Sequence, residues 1–101
     1  MAINLRKLAK GRECMVRIPG VCNGTRETTV LAHLNNKRLF GVGIGQKVPD
    51  ISGAHCCSDC HDVLDGRVST GWTETQLLVW FYEGVFRTQN QLLKEGLIKG
   101  A

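Results

Sequence analysis

The sequence predicts a small α+β domain: two short strands, a loop and a helix built around a zinc ion, followed by a long C-terminal helix. Three observations carry this expectation. Cys57-x-x-Cys60 is the short half of a tetrahedral thiolate site, because two intervening residues let both sulfurs turn toward one ion. Residues 28–33 are β-branched at their start and read as a strand, and Pro49-Asp50-Ile51-Ser52 leads into a second short strand ending near Cys56. From Thr73 onward the apolar residues recur at helical spacing.

At 101 residues the chain is expected to form one domain, with a zinc-braced core over about residues 12–67 and the long helix over about 73–95. A hydrophobic share of 43% fits a globular protein. Thirteen Lys and Arg against nine Asp and Glu give a net charge of +4, which favours an anionic partner, nucleic acid first. Residues 1–12 lack the apolar region of a secretory signal, and no run approaches the ~20 apolar residues of a membrane span. A cytoplasmic protein without a membrane partner is therefore expected. In that reducing compartment the five cysteines are better explained by metal than by disulfides. Four can ligate. Cys56 is the one left over, since neighbours in a chain point different ways and Cys57 has the ligand spacing.

In chain order, residues 3–10 form a short basic helix ending at Gly11. Arg6, Lys7, Lys10, Arg12 and Arg17 face a single acid, Glu13, in this opening stretch, which makes it a candidate phosphate-contacting arm. Cys14 and Cys22 follow, eight residues apart, with a Pro19-Gly20 turn able to fold the second back toward the first. The strand over residues 28–33 ends in His33. Residues 34–50 form a loop carrying Lys37, Arg38 and Lys47 with no acid before Asp50, suited to lie along a phosphate backbone. Its glycines lack the context of a nucleotide-binding loop. A second strand ends near Cys56.

The stretch from Cys57 to Asp65 then packs two thiols, an imidazole and carboxylates into nine residues. If it is helical, His61 and Asp65 share a face and can hold a second ion together. A linker containing Arg67 leads to the long helix. Thr73 and Gln76 have capping-box spacing, and Gly96 is the expected stop. Leu77, Phe81, Val85 and Leu92 mark its apolar face, with Leu78 and Phe86 widening it. Trp72, Trp80, Phe81, Tyr82 and Phe86 read as core or as a subunit interface, which admits a homodimer, rather than as base-stacking residues.

Cys57-x-x-Cys60-His61 also fits c-type haem attachment, but that chemistry needs export and leaves Cys14 and Cys22 without a role, so no haem is expected. Two readings remain. In one, Cys14, Cys22, Cys57 and Cys60 close around zinc, and the basic surface makes a non-catalytic DNA-binding module. In the other, His33 and His61, 28 residues apart, belong to a second site. A strand ending in His, a second strand and a helix opening with a metal-binding His is the order of a ββα-metal nuclease. Phosphodiester hydrolysis needs a base for water and a cation for developing negative charge. His33 can be the base, while His61 and Asp65 hold Mg²⁺, Mn²⁺ or a similar divalent ion. Arg6, Lys7, Lys37, Arg38, Lys47 and Arg67 would contact phosphates.

Ala32-His33 followed by Cys57-x-x-Cys60-His61 resembles the HNH (His-Me finger) nucleases whose ββα-metal fold is braced by a four-cysteine zinc. More closely, Arg12-Glu13-Cys14, Arg17-Ile18-Pro19-Gly20-Val21-Cys22-Asn23-Gly24, Leu31-Ala32-His33 and Cys57-Ser58-x-Cys60-His61-Asp62 are similar to the YbcO family, small phage and prophage proteins classed as nucleases. The resemblance covers about residues 5–67 well and the C-terminal helix more loosely. It implies a metal-dependent DNA endonuclease, with His33 as general base and His61 and Asp65 as ligands of the catalytic ion. Ala32 stands where many HNH members carry an Asp or His ligand. For the middle Asn of the motif, Asp50 and His55 are the candidates.

Overall fold

A computed structural model describes residues 4–34 and 49–99. In chain order its elements are α1 (Leu5–Leu8), β1 (Val30–Ala32), a 3-10 turn (Asp50–Ser52), β2 (Ala54–Cys56), α2 (Ser58–Leu64) and α3 (Glu74–Lys94). This is the small α+β architecture the sequence predicts, with the strands shorter than expected. Residues 50–52 form the turn that leads into β2, with Ser52 N–H and Gly53 N–H bonding back to the Pro49 and Asp50 carbonyls at 3.0 Å each. His33 lies just beyond the end of β1.

β1 and β2 pair antiparallel, with Val30 opposite Cys56, Leu31 opposite His55 and Ala32 opposite Ala54. Two strands of three residues cannot stand alone in water, so their stability comes from what packs on them. All three β2 residues are buried, and α3 lies across that strand. Thr88 of α3 makes the crossing polar as well as apolar. Its hydroxyl accepts from the His55 N–H at 3.0 Å and donates to the Gly84 carbonyl at 2.7 Å. The segment before β1 is held between the same two elements: Met15 N–H bonds the His55 carbonyl at 2.8 Å, and Arg87 Nη1 bonds the Met15 carbonyl at 2.8 Å.

Val16, Ile18, Ala54, Cys56, Val63, Phe81 and Val85 form the core. Gly84 lets α3 come close, since a Cβ there would meet Val16 Cγ2 at 2.8 Å and Val16 Cα at 2.9 Å. Truncating Phe81 in such a core typically costs about 3–5 kcal/mol.

α3 begins and ends on the expected signals. Thr73 and Gln76 form a reciprocal capping box. At the far end Gly96 takes φ 72°, while Gly96 N–H and Leu97 N–H bond the Leu93 and Leu92 carbonyls. Phe81, Val85 and Leu92 are buried and Leu77 packs against the core, as predicted. Phe86 is a correction: it is 68% exposed and widens no core face. Five residues beyond Phe81, it points ~140° around the helix from it. None of the described helices is long and apolar enough to cross a membrane.

Candidate metal centre and catalytic histidine

Cys14, Cys22, Cys57 and Cys60 come together, with their sulfurs all within 4.8 Å of one another. Local turns produce this meeting. Gly20 takes φ 73°, and Val21 N–H and Cys22 N–H both bond the Ile18 carbonyl, folding Cys22 back toward Cys14. Arg17 adopts φ 55°, the left-handed region most side chains avoid, and its Nε donates to the Cys14 carbonyl at 3.2 Å. Cys57 is the N-cap residue of α2 and Cys60 lies in its first turn. The Asn23 side chain then joins the two halves by donating to Asp59 Oδ2 at 3.2 Å.

A tetrahedral Zn–S distance of ~2.3 Å sets sulfurs ~3.8 Å apart. Four sulfurs within 4.8 Å fit such an ion after a small contraction. The cluster thiols are pushed apart in acidity: burial raises Cys22, the Cys14 sulfur raises Cys60, and Cys14 is lowered. Hydrogen bonds from the Cys56 and Cys60 thiols hold the Cys14 thiol far below its ordinary range. The Cys56 thiol, which donates to the Cys57 carbonyl at 3.5 Å, is pushed well above its own range by the neighbouring Cys14 and Cys60 sulfurs and by burial. It lies outside the four-sulfur group, as its position beside Cys57 predicts.

His33 Nε2 lies 2.9 Å from Asp50 Oδ1, and the Arg6 Nε bonds the same oxygen at 3.3 Å. Burial pushes the Asp50 carboxyl up, but the bonds from His33 and Arg6 outweigh it and hold the group below its usual range. An imidazole that gives one nitrogen to a carboxylate is fixed in tautomer and orientation, with the other nitrogen free to accept a proton. On α2, His61 Nε2 and Asp65 Oδ2 are 3.3 Å apart, one helical turn from each other, and each side chain is 29% exposed. Arg67 approaches Asp62 at 3.5 Å and Asp65 at 3.7 Å.

The structure thus gathers the four cysteines, and it pairs His61 with Asp65. Among the described residues, no third His, Cys, Asp or Glu donor clusters with that pair. Ala32 is buried and offers none. Asp50 is the residue whose role the sequence left open. Nothing local in the chain shows that it meets His33, 17 positions away, or that Arg6 joins them. Arg6 and Arg67 are occupied by carboxylates as well as exposed, whereas Lys7 is exposed. Lys37, Arg38 and Lys47 lie outside the described residues. His55, the other candidate for the middle motif position, is buried on β2 with both ring nitrogens lacking a hydrogen-bond partner among the described residues. It sits opposite Leu31 and under Thr88.

Comparison with known proteins places the chain among relatives. Residues 3–97 match the family model described as "Putative nuclease YbcO". A protein of that description from Escherichia coli (strain K12) is 52% identical over 100 residues, covering 95% of this chain and 97% of the relative. Its counterpart from Enterobacteria phage 82 gives the same figures. A solved structure described as a putative bacteriophage protein from Escherichia coli K-12 MG1655 is similar with a TM-score of 0.74 at 44% identity. It covers 92% of this chain and 100% of that one.

Proposed function

The chain belongs to the YbcO family, and on that premise we propose that it is a metal-dependent DNA endonuclease of the ββα-metal (HNH) type. The observation that carries this reading is the His33–Asp50 pair at 2.9 Å, at the loop end of a hairpin whose second strand leads, from its other end, into the His61–Asp65 helix.

His33 Nε2 donates to Asp50, which leaves Nδ1 to take a proton from water as the water oxygen bonds to phosphorus and the ester P–O bond breaks. Arg6 keeps Asp50 ionised, so the acceptor for Nε2–H is not lost. His61 and the Asp65 carboxylate would hold the divalent ion. Bound there, a divalent ion would neutralise charge building on the phosphate and leaving oxygens. Cys14, Cys22, Cys57 and Cys60 would hold zinc and brace the hairpin against α2 without joining the chemistry. Lys7, together with Lys37, Arg38 and Lys47, would neutralise backbone phosphates, with Arg6 and Arg67 at the edge of the site. Affinity for DNA should then fall steeply with salt. Five thiols, four of them thiolate ligands, also suit a reducing cytoplasm.

A second reading, a non-catalytic DNA-binding module, is favoured by one observation: Ala32 is buried and offers no ligand, so among the described residues a catalytic ion would have only His61 and Asp65 as clustered donors. Nicking of supercoiled plasmid with added Mg²⁺ or Mn²⁺, run side by side on wild type and His33→Ala, separates the two. The nuclease reading expects cleavage by wild type alone, with DNA binding kept by both. Equal cleavage by both proteins assigns the base elsewhere. No cleavage by either, on duplex, single-stranded and branched DNA, leaves the binding module.

A further inference from the structure

The nuclease reading does not use the outer side of α3. Val79, Phe86 and Leu93 are 53%, 68% and 42% exposed there. They are seven residues apart, so they drift only ~20° per step and form one stripe along the helix. The stripe faces away from Phe81, Val85 and Leu92, which point into the core. A surface helix with one side in the core normally keeps the other polar. α3 is apolar on both.

We propose that this stripe is a homodimer interface, in which α3 packs antiparallel on α3 of a second copy about a two-fold axis at Phe86. The spacing selects this occupant. Val79 and Leu93 stand seven residues to either side of Phe86. An axis at Phe86 therefore sets Phe86 against its own equivalent and Val79 against Leu93 of the second copy, in both directions. That reciprocity is what an isologous contact requires. The charge agrees. Thr75, Glu83 and Asn90 border the stripe and are exposed. With Lys94, exposed just past Leu93 on the same flank, they form a polar rim that carries one acid and one cation, which suits a like helix more than a phosphate backbone.

The area sets the strength. An aromatic side chain buries ~150–250 Å², so Phe86, Val79 and Leu93 at their observed exposures offer ~300 Å² per copy. Slightly more than half of an ordinary interface is apolar. The stripe therefore matches an interface of ~1,000–1,200 Å² in total, the low end for specific association. The dimer is one that forms in the micromolar range, insensitive to salt, unlike the expected DNA affinity.

Sedimentation of the zinc-loaded protein from ~1 µM to ~1 mM tests this. Wild type should pass from monomer to dimer, equally at low and high salt. Phe86→Glu should raise the dissociation constant at least ~30-fold, as loss of a central anchor does. Circular dichroism and zinc content should not change, because the side chain is exposed. Leu93→Lys gives the same result from the other end of the stripe. Mixed Val79→Cys and Leu93→Cys proteins should be joined to each other by a short bismaleimide more than either is to itself. Wild type that stays monomeric throughout, Phe86→Glu and Leu93→Lys proteins that dimerise like wild type, or Val79→Cys linking mainly to itself would overturn the antiparallel dimer.

Discussion

The four-cysteine cluster and the His61–Asp65 pair share α2, while the His33–Asp50 pair lies at the loop end of the hairpin, and the cluster and the histidine pairs are built for opposite purposes. In the cluster four donors converge, and Cys57 and Cys60 are fully buried. Nothing is left for a substrate to add. His61 and Asp65 are two donors on an open helix turn, and His33 is held by Asp50 at the surface edge of the hairpin. A site that closes its ion contributes to folding, and a site that leaves positions open can bind water and phosphate. The difference predicts that damage to the first removes the protein, and damage to the second removes only its activity.

The largest effect should come from Cys60→Ala. Structural zinc in small domains contributes on the order of 10 kcal/mol to folding. Elemental analysis should show zinc lost, and cooperative thermal unfolding should disappear. Cys56→Ser, beside the cluster but outside it, should keep its zinc; the reverse pattern for Cys56 and Cys57 would reassign the site. Next comes His61→Ala, expected to lower cleavage by at least ~10², more than loss of an outer-shell partner does, with the melting temperature unchanged. Asp50→Asn should cost ~10–10² in turnover by freeing the His33 ring. It should cost little stability, because the Arg6–Asp50 pair is well exposed and such pairs contribute ~0–1 kcal/mol.

The smallest effect concerns an ion pair at neither site. Arg12 Nη1 and Nη2 grip Glu95 at 2.7 and 2.6 Å, tying the end of the N-terminal arm to the end of α3. Arg12 and then Gln91 lower the Glu95 carboxyl from 4.5 to about 2. A carboxylate depressed in the folded state contributes stability above its unfolded value, and that contribution fades as pH falls through the folded one. Acid titration of thermal stability should show this loss between about pH 5 and pH 2, reduced in Glu95→Gln. A Glu95→Gln curve matching wild type would remove the assignment.

The two regions were also unequally legible in the chain. The cluster could be read because thiolate ligands follow short spacings and turn residues: Cys57-x-x-Cys60, and Pro19-Gly20 between Cys14 and Cys22. The caps of α3 were legible for the same reason, each being settled within a few residues of Thr73 or Gly96. The His33–Asp50–Arg6 chain was not. It depends on where a 3-10 turn and a four-residue helix come to rest against the hairpin, and no spacing encodes that. Phe86 failed differently. Apolar residues at helical period reveal a helix but not which of two faces meets the core, and α3 carries two. The glycine at position 84, against Val16, marks the inner one only once the packing is seen.

The contrast between a closed and an open site is tested most directly by removing metal in two steps. Purified protein dialysed against a mild chelator should retain one zinc per chain by elemental analysis, stay folded by circular dichroism and lose plasmid nicking. Added Mn²⁺ or Mg²⁺ should restore nicking without changing the zinc content. Zinc and nicking leaving together, with neither Mn²⁺ nor Mg²⁺ restoring cleavage while the zinc is absent, would contradict two separate sites and make the cysteine-held ion the one that acts.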